Sequence, residues 1–222
     1  MDSTSVYTAC QNRLLDLAAG LTADRIAAPV PALPAWNVLQ TYAHLAGVCV
    51  DVGTRGLVPP SGDEATARQV AERAAADLPA ICDEWRAATP ALLEVFAAQA
   101  RSRFKLPALD VWHHENDLRG ALGMEPQTED AGQVAGLILG FHTRDWDASL
   151  PGVRVLAADT GQEWLLGAEP DLELRATAFE LARSVSGRRT LAQIAALDWT
   201  GDPSAVAGRL PTLPIPEADL SV

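Results

Sequence analysis

The stretch Asp110-Val-Trp-His-His114-Glu-Asn-Asp117-Leu-Arg-Gly-Ala-Leu-Gly123 constrains this chain more than any other. Pro107 suits the first turn of a helix and Gly123 the position just past its end, so a helix is predicted between them. At about 100° per residue, Asp110, His114, Asp117 and Ala121 fall in a strip roughly 60° wide. Val111, Leu118 and Leu122 flank that strip, which turns its polar groups toward the edge of a core. Ionised groups in such a place are costly unless they are paired or bound to a metal.

The chain has four histidines: His44, His113, His114 and His142. Asp110 and His114 stand at i and i+4, and His44 lies among small residues in Tyr-Ala-His-Leu-Ala-Gly. A carboxylate and an imidazole on one helix, joined by an imidazole from a facing helix, are how helix bundles build metal sites. Three protein ligands leave a position open for water or substrate, the catalytic arrangement for zinc. Asp117 would then accept a hydrogen bond from a ligand ring, or pair on the helix surface. Taken alone, His44 reads more simply as a hydrogen-bonded core histidine, and the Asp110 stripe as a solvated face. Spacing within one helix does not tell where His44 lies. His113 points away from the strip and is expected at the surface, and His142 at the surface or between domains. Trp36, Trp112 and Trp199 are expected as core anchors. Arg188 and Arg189 follow Gly187 at a helix end, where an arginine is favourable in any case. Either can instead clamp a carboxylate with two hydrogen bonds.

Composition removes several classes of function. The net charge is −12 and Lys105 is the one lysine, so no clustered cationic surface for nucleic acid is expected. No apolar run reaches the roughly 18 to 20 residues that span a bilayer. The N-terminus shows no basic start followed by an apolar stretch. Cys10, Cys49 and Cys82 are odd in number and lack C-x-x-C spacing, so they are expected as reduced core residues of a cytoplasmic protein. Neither a Gly-rich phosphate loop nor a G-x-S-x-G elbow occurs.

Along the chain, residues 5–19 carry an apolar stripe at helical spacing. Residues 28–34 hold three prolines and form an extended connector. A second helix is expected over 37–52, and a helical tract over 63–99 is expected to break near Pro79 and Pro90. The helix of Asp110 and a last one over 130–146 complete a bundle. From about 150 the pattern alternates as strands do, at 153–158, 163–166 and 172–177, followed by helices over 178–186 and 191–197. The expected fold is mainly α with a small α/β part: a bundle over 1–148 and a small C-terminal α/β domain over 149–222.

These residues resemble the mycothiol-dependent maleylpyruvate isomerase family. Ala35-Trp-Asn-Val-Leu-Gln-Thr-Tyr-Ala-His44-Leu-Ala is similar to its G-W-[ST]-V-x-[DE]-[LV]-x-A-H-L-A, and the Asp110 helix to its E-x-x-x-H-x-x-D-L-x-x-A-L-G. Val153 to Trp164 and Ala178 to Arg189 resemble the family's smaller C-terminal domain. The resemblance implies a DinB-like four-helix bundle and a zinc or other divalent metal held by His44, Asp110 and His114. It also implies a substrate-contacting arginine, Arg188, and mycothiol as thiol cosubstrate. The implied protein is a monomer or homodimer that isomerises a cis double bond of an unsaturated acid. A mycothiol S-transferase, or a non-catalytic small-molecule-binding protein on the same scaffold, are the alternatives. This chain departs from the family in carrying Asp110 where Glu is frequent, a reach shorter by about 1.5 Å.

Overall fold

A computed structural model describes residues 1–222, which form two compact units, 2–127 and 128–221. The first is a four-helix bundle of α1 (Ser3–Ala19), α3 (Val38–Thr54), α5 (Leu78–Ala98) and α6 (Leu106–Ala121). Short α2 (Ala23–Ile26) and α4 (Asp63–Ala71) decorate it. Within the bundle α3 packs on α5 and α6, and α1 packs on α6 and α5.

Local chemistry explains where these helices begin. Asp2 accepts a hydrogen bond from the Ser5 backbone, and Asp77 does the same for Ala80. Asn37 and Gln40 form a reciprocal capping box at the start of α3. Pro79 and Pro107 sit in the first turns of α5 and α6, where a missing N–H costs nothing. Gly123, just past α6, takes the left-handed φ of 64° that helix ends favour.

Buried polar pairs tie the helices across the core. Trp85 donates to the Tyr7 hydroxyl at 2.6 Å, Gln11 to Thr89 at 2.6 Å, and Tyr42 to the Leu14 carbonyl at 2.7 Å. Arg13 reaches from α1 to Glu115 on α6 with two hydrogen bonds of 2.8 Å. Glu115 is almost fully buried, and this fork supplies the pairing that a buried carboxylate needs. Asp51 on α3 is equally buried and accepts from Arg55, Arg68 and Gln69, which pins α4 against the bundle.

The second unit holds α7 (Ala131–Asp145), β1 (Gly152–Ala157), β2 (Glu163–Leu166), β3 (Pro170–Ala176), α8 (Ala178–Val185), α9 (Leu191–Ala195) and β4 (Asp198–Thr200). Its sheet runs β2-β1-β3-β4, with β1 and β3 parallel and both edge strands antiparallel to their neighbours. The strands expected at 153–158 and 163–166 are β1 and β2, paired antiparallel.

Three sequence expectations differ from this fold. The domain boundary drawn at 148 falls instead between 127 and 128. The cause is α7: it packs on α8 and β2, so α5, not the 130–146 helix, supplies the bundle's remaining helix. Pro90 does not break α5, which runs on to Ala98. A fourth strand, β4, was not foreseen in a segment with no alternating pattern. No helix is long and apolar enough to cross a membrane, and all three cysteines are free and buried.

Candidate metal centre

His44 stands on α3, two turns past the capping box, and Asp110 and His114 stand one turn apart on the facing α6. The bundle brings all three together. One ligand atom from each lies within 4.8 Å of the others. His44 Nε2 is 3.3 Å from Asp110 Oδ2, and His114 Nε2 is 3.3 Å from Asp110 Oδ1. The shorter aspartate therefore reaches both imidazoles. The imidazole side chains are 7% and 5% exposed and that of Asp110 is 33% exposed, so the triad opens on the aspartate side.

The donor set fits a divalent cation on two counts. Two imidazole nitrogens and one carboxylate oxygen are ligands that zinc accepts. Asp110 Oδ2 is also buried without a hydrogen bond, although an imidazole nitrogen faces it at 3.3 Å. Atoms aimed at a shared third point, rather than at each other, have this arrangement.

Asp117 is one turn further along α6, fully buried, with Oδ2 3.1 Å from His114 Nδ1. A carboxylate can only accept here, so Nδ1 carries the proton and Nε2 faces Asp110. Burial opposes a charge on His114, but the carboxylates of Asp110 and Asp117 outweigh it and raise its pKa to about 9. Burial likewise opposes a charged Asp110, yet His114 and His44 hold its carboxyl well below the usual carboxylate range.

Trp36 was expected as a core anchor. It is half-buried instead, and its ring centroid lies 4.8 Å from that of His44 and 6.2 Å from that of His114. Sequence reasoning missed this contact because Trp36 precedes the helix and no helical spacing links it to His44. Trp112 is fully buried as expected, and Trp199 is half-buried with its indole N–H on the Ile194 carbonyl. His113 is a correction: it is 3% exposed, not at the surface, and meets the Trp112 ring edge-on at 5.0 Å. Helix α6 is buried on nearly all sides, so turning away from the Asp110 strip does not turn a residue toward water. His142 is half-buried and donates from Nε2 to the Leu210 carbonyl at 2.8 Å.

The two arginines after α8 part company. Arg189 is 4% exposed and locked to Glu180 by two hydrogen bonds of 2.8 Å, which removes it as a clamp for a ligand. Arg188 is half-buried and lies in the second unit, with its Nη1 on the Ser186 carbonyl at 3.2 Å. Gly187, with φ 69°, makes the turn that presents it.

The family model described as the mycothiol maleylpyruvate isomerase N-terminal domain matches residues 7–119. No curated protein sequence matches the chain. Two solved structures are similar to it. A crystal structure of the mycothiol-dependent maleylpyruvate isomerase has a TM-score of 0.58 at 13% identity, with 84% of this chain and 88% of that one covered. That of a histidine-to-alanine mutant of the same-named enzyme has a TM-score of 0.56 at 12% identity with the same coverage. At such identities the likeness is one of fold.

Proposed function

The chain belongs to the mycothiol maleylpyruvate isomerase family, and on that premise we propose a metal-dependent enzyme that uses mycothiol to isomerise a cis double bond in an unsaturated acid. The observation that supports it most is the convergence of His44, Asp110 and His114 from two helices with ligand atoms within 4.8 Å. These three residues would hold the cation, zinc by the chemistry of the donors. When bound, such an ion keeps a thiol as its thiolate at neutral pH.

The chain's own side chains prepare the rest. Asp117 holds the proton of His114 on Nδ1 and keeps Nε2 turned inward. The part-exposed side of Asp110 is where a thiol and an acid have access. Arg188 follows the Ser186-Gly187 pair, the context in which the resemblance puts a substrate-contacting arginine, and it is the residue proposed to hold a substrate carboxylate. A thiol held there would supply a nucleophile that adds reversibly to the double bond, which lets that bond rotate before the thiol leaves again unchanged. Arg188 would hold the substrate carboxylate while charge develops on the conjugated carbonyl.

The test is elemental analysis of gently purified protein, followed by incubation with mycothiol and a panel of cis-unsaturated acids. Stoichiometric zinc, with isomer formed and no thiol consumed, is the expected result. A stable adduct that consumes thiol assigns an S-transferase instead. Protein that is free of metal and fully active refutes the metal-dependent reading. Protein without metal or activity leaves a small-molecule-binding role on this scaffold.

A further inference from the structure

We propose that Trp36 is the positioning residue for His44, orienting its imidazole by packing as Asp117 orients His114 by a hydrogen bond; this rests on reading the triad as a metal site. The two imidazoles are held unequally. His114 has Nδ1 on a buried carboxylate at 3.1 Å. His44 Nδ1 is buried and has no hydrogen-bond partner. A ligand ring without such a partner is free to swing about its Cβ–Cγ bond unless something flat stops it.

Trp36 is that stop. Its ring packs against the His44 ring with centroids 4.8 Å apart, tilted by 38°. His44 also meets the His114 ring edge-on at 5.2 Å and 87°, and Trp36 lies 6.2 Å from that second ring, so the three rings pack as one cluster. Within it the His44 Nε2 stands 3.3 Å from Asp110 Oδ2.

The indole can serve this role because its own backbone is pinned. The Trp36 N–H donates to the Leu33 carbonyl at 2.8 Å, and its carbonyl accepts from Val30 at 3.0 Å. The adjacent Asn37 bridges to Pro29 and opens the capping box of α3, the helix that carries His44. The platform therefore stands one residue before the cap of the helix that carries the ligand. A half-exposed tryptophan standing on a loop is otherwise poorly placed to anchor a core.

The test uses the full chain. Zinc affinity is read by competition with a chromophoric chelator, and ligand geometry by the visible absorption of the cobalt-loaded protein. Trp36→Leu keeps apolar bulk and removes the flat ring; Trp36→Phe keeps a flat ring. Trp36→Leu is expected to weaken zinc binding about tenfold or more, as loss of an orienting partner does, and to change the cobalt spectrum. Trp36→Phe is expected to restore both. Should Trp36→Leu fail to fold, Trp36→Met carries the same comparison. Wild-type affinity and spectrum in the Leu or Met variant overturn the proposal, and so does a Phe variant as defective as they are. His44→Ala separates this inference from the reading beneath it. If the wild type binds zinc and His44→Ala does not, the metal reading stands whatever Trp36 does. If both bind alike, or neither binds, that reading falls and the role of Trp36 falls with it.

Discussion

Asp117 shows at a single position what the site requires. A fully buried carboxylate is costly unless a charged or hydrogen-bonding partner meets it, and His114 Nδ1 does so at 3.1 Å. Asp117→Asn can present its amide N–H to that nitrogen and favour the wrong tautomer. Zinc affinity is then expected to fall about 10- to 100-fold, and the thermal midpoint of the metal-free protein to fall as well, because a buried ion pair loses one partner. Chelator competition measures the first and calorimetry the second. The same ring gives the metal-free protein a pH signature. Its folded pKa of about 9 lies above the ordinary value near 6.5. Between those values the folded state holds a proton that the unfolded chain has lost, so stability falls as pH rises through the window. Zinc needs the neutral ring and competes with that proton. Thermal midpoints of metal-free protein should therefore drop across this range, while those of zinc-loaded protein should not. A flat metal-free profile would contradict the ion pairing described for His114.

Whole elements depend on close approach as much as on caps. At Gly53, near the end of α3, an added Cβ would lie 2.8 Å from the Leu92 backbone nitrogen of α5. Backbone cannot yield as a flexible side chain can, so Gly53→Ala is expected to cost about 1–3 kcal/mol as overpacking. Urea denaturation would read this as a lower midpoint at unchanged slope. The contact lies beside Pro90, at Ala91 and Leu92. Pro107 and Gly123 mark the ends of α6 correctly because first-turn prolines and glycines past a helix end are local signals. Asp110, His114 and Asp117 were readable as one strip for the same reason. Pro90 reads locally as a break, yet its local cost is outweighed by packing against α3, which no local pattern displays. The 131–145 helix was assigned to the wrong unit for a similar reason: an amphipathic face states that it will be buried, not against what. Trp36 escaped notice as a neighbour of His44 because its contact crosses from loop to helix.

On the scale of the molecule, 29 acidic against 17 basic side chains leave a net charge of −12, a field that opposes the approach of any acid substrate. Local positive charge has to overcome it, and the proposed function assigns that task to the bound cation and to Arg188. The proposed ligands of the cation lie within residues 2–127 and Arg188 within 128–221, so substitution can remove the two proposed contributions separately. Arg188→Ala is expected to leave zinc stoichiometry and affinity at wild-type values. It should lower kcat/KM for the unsaturated acid by about a hundredfold, as loss of one preorganised charge-stabilising group does. Arg188→Lys, which keeps the charge and loses the planar fork, should recover only part of the rate. Because salt screens the field of the whole molecule within about 8 Å at physiological ionic strength, raising it should lower KM in both wild type and the Ala variant. Loss of zinc in Arg188→Ala would show that the arginine supports the fold. An unchanged rate would remove Arg188 from the mechanism and leave the carboxylate to be held by another group.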